Sequence, residues 1–171
     1  MTGYRVMDGG AGPQAVGIES QLKVQDLNAR YVEAIDDDRL EAWPDFFTED
    51  GRYRITTAEN VAQGLPLSLI YATSRAMLRD RVRALREANV YESQHYRHVL
   101  GAPRITAAEG TGLRARTPFM VARIMHTGET MLFATGCYED RVVIGAAEAH
   151  FGEKTVILDS RQVDTLLAIP L

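Results

Sequence analysis

The sequence predicts an α+β domain in which helices come first and a long antiparallel sheet follows. Three observations predict it. Apolar residues recur at helical spacing between Glu19 and Ala88. Runs of strand-like composition fill the chain from Arg97 onward. Turn signals separate those runs, and helices segregated from strands argue α+β rather than alternating α/β.

The elements follow in order. Residues 1–17 hold five Gly and one Pro without periodicity. They are expected to form a flexible arm, with residues 18–171 as one domain. From Glu19, Leu27, Tyr31, Ala34 and Ile35 mark one face of a helix. Asp36, Asp37 and Asp38 oppose the dipole at its C-terminus and predict its end. One of these carboxylates is expected to cap a short helix carrying Leu40, Trp43, Phe46 and Phe47 on one side. Pro44 is tolerable in its first turn. Residues 48–51 (Thr-Glu-Asp-Gly) predict a turn, Arg52–Thr57 a strand and residues 58–66 a loop. Ser74 predicts the N-cap of a helix to Ala88, with Met77, Leu78, Val82 and Leu85 on its apolar face. Strands are predicted over 97–106, 112–126, 129–144 and 153–167, with Thr127-Gly128 as a tight turn. A curved sheet wrapped over N-terminal helices leaves a cone with a concave interior.

Composition excludes several functions. The chain has 171 residues, 46% hydrophobic and 25% charged, enough for one core. A net charge of −4 argues against a nucleic-acid binder. The longest nearly apolar run, Leu65–Ala72, falls short of the roughly 20 residues a membrane helix needs. The N-terminus lacks the apolar region of a secretory signal. One cysteine, Cys137, allows no intrachain disulfide and fits a reducing cytoplasm. It also excludes a Rieske cluster held by this chain alone, which takes two Cys and two His. No nucleotide-binding glycine motif is present.

Few residues suggest chemistry. His95 and His98 would converge on a metal from a helix, but positions i and i+3 of a strand face opposite ways. The other histidines are His126 and His150. A pocket acid or base could draw on Tyr31, Tyr53, Tyr71, His95, Asp159 and Arg161, as in small cone-shaped isomerases and dehydratases. Cys137, between Gly136 and Tyr138, reads as a buried inert thiol. Charge is uneven: Glu33–Glu59 carries net −6 and Ser74–Arg104 net +4. Such patches suit contact between subunits, or solvated helix faces.

Six stretches in sequence add a resemblance. They are Ala42–Ile55, Met77–Val82, Tyr96–Ile105, Phe119–Thr130, Leu158–Ser160 and Asp164–Leu171. Their order and spacing resemble the small (β) subunits of aromatic-ring-hydroxylating dioxygenases over about residues 20–171. Residues 62–67 and 84–91 resemble the terephthalate dioxygenase members and, next, the salicylate hydroxylase members. The resemblance implies a cone of the nuclear-transport-factor-2-like (SnoaL-like) type. It implies a cytoplasmic β subunit, structural and non-catalytic, within an α3β3 hexamer for aromatic catabolism. The α partner would hold a Rieske [2Fe–2S] cluster and a mononuclear Fe(II), fed by a reductase or ferredoxin. This chain would hold no cofactor and no metal, contact neither nucleic acid nor membrane, and touch copies of itself in a trimer. Subunit contacts are expected at Trp43, Arg79, Tyr91, His95, Tyr96, Arg97 and His98, since Trp and Arg are enriched at interfaces. For Trp43 the plain alternative is a core position. The alternative function is a stand-alone isomerase or dehydratase using a pocket His or Asp; a ligand-binding scaffold is a further one.

Overall fold

The computed structural model describes residues 17–87, 93–110, 112–162, 167 and 169–171. The expected flexible arm lies almost wholly outside them, as does Tyr91. Helix α1 (Ile18–Asp36) is followed by a 3₁₀ helix (Leu40–Phe46) and strand β1 (Phe47–Thr57). Next come α2 (Ala58–Ala62), β2 (Ile70–Ala72) and α3 (Arg75–Glu87). The rest is sheet: β3 (Gln94–Leu100), β4 (Arg104–Glu109), β5 (Gly112–Met125), β6 (Thr130–Ile144) and β7 (Ala149–Leu158).

The seven strands of the described residues form one sheet in the order β2-β1-β7-β6-β5-β3, with β4 also paired to β5. The long strands make the expected antiparallel meander. The addition is β1, which runs parallel to β7 and makes the sheet mixed. That pairing joins the first strand to the last, a long-range contact no local pattern announces.

Local physics explains where the elements depart from expectation. The 48–51 turn is instead part of β1, which absorbs the extra residues as an irregularity between Phe47 and Arg52. The 58–66 loop begins as α2, because the Thr57 hydroxyl accepts from the Asn60 amide at 3.2 Å. Among the described residues no side chain caps the 3₁₀ helix. The 97–106 run is two strands, broken at Gly101-Ala102-Pro103. Strand β7 starts at Ala149 and stops at Leu158, not Leu167. Leu167, Ile169 and Leu171 are buried in the core instead. The Ser74 hydroxyl does accept from the Met77 amide, at 3.3 Å.

Helix α1 crosses the inner face of the sheet. Val24, Leu27, Tyr31, Val32 and Ile35 pack there against Tyr53, Ile55, Tyr138, Phe151 and Val156. Each such side chain contributes about 1.5–3 kcal/mol on burial. Edge-to-face rings tie the 3₁₀ helix to the sheet: Trp43 lies 5.1 Å from Tyr53 and 5.9 Å from Phe47. Trp43 is fully buried, so its side chain is core and has no surface to offer a neighbour.

The sheet is tight where β6 passes β7. A Cβ on Gly136 would lie 2.1 Å from the Ile157 carbonyl oxygen and 3.1 Å from the Phe119 ring. Gly136→Ala is therefore expected to lower the unfolding free energy by about 3 kcal/mol, read by urea denaturation. A loss under about 0.5 kcal/mol would contradict this packing.

Candidate functional site

The inner face of the cone is where a ligand site would be sought. Strand alternation directs Lys154, Asp140, Tyr138 and His98 inward, and α1 supplies Asn28, Tyr31 and Asp36 from above. The Lys154 ammonium is fully buried. It donates to Asp140 Oδ2 at 3.2 Å and to Asn28 Oδ1 at 3.1 Å. Three rings face it, with Tyr138, Phe151 and Tyr31 centroids at 3.7, 4.2 and 4.5 Å. Asn28 Nδ2 donates in turn to Thr117 Oγ1 at 3.3 Å. Burial pushes the Asp140 carboxyl up to about 6 and the Lys154 ammonium down to about 8, each partly restored by the other's charge.

A second buried pair lies at the end of α1. Asp36 accepts from His98 Nδ1 at 2.6 Å and from the His98 amide at 2.9 Å. Arg97 approaches the same carboxylate at 3.7 Å. A carboxylate that orients an imidazole is an acid–base arrangement. Here the imidazole is enclosed, and its Nε2 is buried without a partner among the described residues. Each carboxylate of the acidic run has a partner: Asp37 pairs with Arg39 and Asp38 with Arg86.

Leu167, Ile169 and Leu171 pack into the core beside Tyr31 and Tyr53. The Leu171 carbonyl oxygen accepts from Tyr31 Oη at 2.7 Å and from Tyr53 Oη at 3.1 Å. Arg81 Nη2 donates to the Leu167 carbonyl at 2.7 Å. Burial raises both tyrosines above their ordinary range, Tyr53 to about 12, so both hydroxyls stay protonated donors at neutral pH. The cavity left beside Phe133, Leu158, Leu167 and Leu171 is about 10 Å³. That is room for about one water. The His98 and Asp36 side chains are themselves buried, 0% and 3% exposed.

The remaining candidates scatter. His95 is exposed and His98 buried, on opposite faces of β3. His126 and His150 lie on other segments, and no cluster of three or more His, Cys, Asp or Glu among the described residues could hold a metal. Tyr71 and Asp159 are exposed, and Arg161 pairs with Glu59 at 3.1 Å. Tyr96 is buried. Cys137 takes a hydrogen bond from Arg116 Nε at 3.0 Å, while burial raises its thiol. It lines an outward cleft of about 430 Å³ with Arg104, Arg116, Pro118 and Asp159. The acidic and basic stretches meet within the chain: Arg86 holds Glu41 at 2.8 Å, Arg79 holds Asp45 at 3.1 Å and Arg75 holds Glu49 at 2.7 Å. No described helix is long and apolar enough to cross a membrane.

Sequence reasoning missed Lys154, Asp140 and Asn28. The available signal was a charge at an apolar beat: Lys154 shares a face with Val156 and Leu158, and Asp140 with Tyr138 and Val142.

The family model of the SnoaL-like domain matches residues 17–148. The terminal oxygenase component subunit beta 1 of terephthalate 1,2-dioxygenase from a Comamonas species is 45% identical over 152 residues. The match spans 89% of this chain and 99% of that protein. The chain belongs to the SnoaL-like family, among the β subunits of ring-hydroxylating dioxygenases. Two further β-subunit relatives agree. The anthranilate 1,2-dioxygenase small subunit of Burkholderia cepacia is 37% identical over 90% of this chain and 96% of its own length. A crystal structure of the β subunit of a proposed aromatic-ring-hydroxylating dioxygenase from Novosphingobium aromaticivorans superposes with a TM-score of 0.83. It is 38% identical, covering 90% of this chain and 98% of that one.

The β subunit's buried ion pair has a worked pH dependence. Asp140 is raised from its ordinary 3.8 to about 6, so the folded state loses stability as pH rises through that window. Lys154 is lowered from 10.5 to about 8, so stability is regained as pH rises above about 8. The pair weighs most against folding between these values. Lys154→Met strands the Asp140 carboxylate and should cost about 3 kcal/mol at pH 8. The cost should shrink at pH 5, where Asp140 takes up a proton. Equal losses in urea denaturation at both pH values would contradict the assignment.

Proposed function

We propose that this chain is the non-catalytic β subunit that braces a catalytic α subunit in a cytoplasmic α3β3 oxygenase. The complex would hydroxylate an aromatic carboxylate of the terephthalate or anthranilate type. The observation that carries the reading is the 45% identity to a terminal oxygenase subunit beta over 89% of this chain. Its inward acid–base pair is buried, with side chains 0% and 3% exposed, so the surface rather than a pocket is what this reading has the chain contribute.

The donor set supports placing the metals in the partner. A Rieske cluster needs two Cys and two His. The chain has one Cys, and of its four His the ring of His98 is already committed to Asp36. These residues do not fit an iron centre, and no catalytic step is assigned to them. A stand-alone isomerase would need the Asp36–His98 pair to meet substrate, and both side chains are buried.

Co-expression with the catalytic subunit tests the reading. The expected result is a 1:1 complex by mass, with all iron in the partner and none in this chain purified alone. An iron-free species that ignores the catalytic subunit would contradict it.

A further inference from the structure

The outward cleft beside Cys137 has a lining that the bracing role does not use. Arg104 on β4 and Arg116 on β5 are direct cross-strand partners, so their side chains rise together from one face of the sheet. Like charges placed directly opposite weaken a sheet. Glu139 of β6 stands opposite Arg116 on its other side, and Glu153 of β7 stands opposite both Arg141 and Arg52. Arg104 has no such answer, because β4 pairs with β5 alone among the described strands. Among the described residues the Arg104 side chain makes no ion pair and no hydrogen bond.

An apolar floor lies beside the two arginines. Pro118 follows Arg116 on the same face, and Cys137 is its cross-strand partner. Ala102 comes next to Gly101, whose amide donates to the Pro118 carbonyl at 2.8 Å. Arg116 Nε is engaged with Cys137 Sγ at 3.0 Å, which leaves its Nη groups for another acceptor. Asp159 completes the lining, its amide donating to the Thr135 carbonyl at 3.0 Å. Glu139 stands 3.9 Å from Arg116 Nε, outside the lining. The lining therefore holds two guanidinium groups against one carboxylate, around about 430 Å³. A cleft of that size admits a small organic molecule.

We propose that this cleft binds an aromatic carboxylate. The free fork of Arg104 matches a carboxylate with two parallel bonds, and Arg116 adds a second cation. One anionic charge answers the surplus of the lining. The floor of Ala102, Pro118 and Cys137 takes the flat body of a ring. A phosphate has no body to cover that floor, and its second charge meets Asp159. A neutral ring leaves the arginines unanswered. The ligand class is read from the cleft itself, so the proposal stands apart from the bracing role.

The test uses the full chain, with benzoate as the probe in titration calorimetry and the rate of Cys137 alkylation as a second readout. Benzoate is expected to bind with a Kd on the order of 1 mM, as suits an open cleft, and to slow alkylation of the thiol it covers. Benzamide lacks the charge and acetate lacks the ring, and each should bind at least about tenfold more weakly. Arg104→Ala, at an exposed position, should lose about tenfold in affinity with an unchanged urea transition. Asp159→Asn removes the carboxylate that competes with the ligand and should tighten binding about threefold. No benzoate binding at about 10 mM would overturn the proposal. So would acetate or benzamide binding as tightly as benzoate, Arg104→Ala binding like wild type, or Asp159→Asn failing to tighten it. Loss of benzoate binding once the catalytic subunit is captured gives the arginines to that partner and also overturns the proposal. Benzoate binding as described, without any capture of the catalytic subunit, overturns only the reading above.

Discussion

An ammonium group without access to water sits where α1 crosses the sheet, and the rest of the interior is arranged around it. Lys154 can be buried there only because Asp140, Asn28 and the faces of three rings replace its water. Those rings need α1 above them, since Tyr31 comes from the helix while Tyr138 and Phe151 come from the sheet. Tyr31 in turn reaches the Leu171 carbonyl, so the same helix residue that shields the charge also fastens the closing segment. Charge burial, helix docking and closure of the cone are therefore one connected arrangement.

Much of this was legible in the residues. The apolar beat of α1, the Ser74 cap, the long antiparallel strands and the opposed directions of His95 and His98 all follow from local periodicity. What escaped was non-local. Nothing near Arg52–Thr57 says that this strand lies parallel to β7. Nothing near Leu167 says that the chain leaves the sheet and enters the core. Asp36 reads as part of a helix-ending acidic run, yet its carboxylate is committed to His98, 62 residues away. The uneven charge of the two halves suggests contacts between molecules, but α3 and the 3₁₀ helix answer each other within one chain. Pairing of this kind is decided by topology, which a single sequence carries only through family resemblance.

A cone with an open pocket and an oriented acid–base pair suits an enzyme, and fold alone does not separate that use from a bracing one. The distinction here is steric. The Asp36–His98 pair has the geometry of an acid–base device, but its side chains are 0% and 3% exposed. The cleft lined by Arg104, Arg116 and Cys137 opens outward instead.

The most direct measurement is hydroxylation turnover by the assembled complex carrying His98→Asn, normalised to its catalytic-subunit content. The substitution retains a donor for Asp36 and removes the imidazole base. Turnover equal to wild type, with any penalty confined to thermal stability, is the result this account predicts. A large fall in kcat with the complex intact would place the buried pair in the chemistry and contradict it.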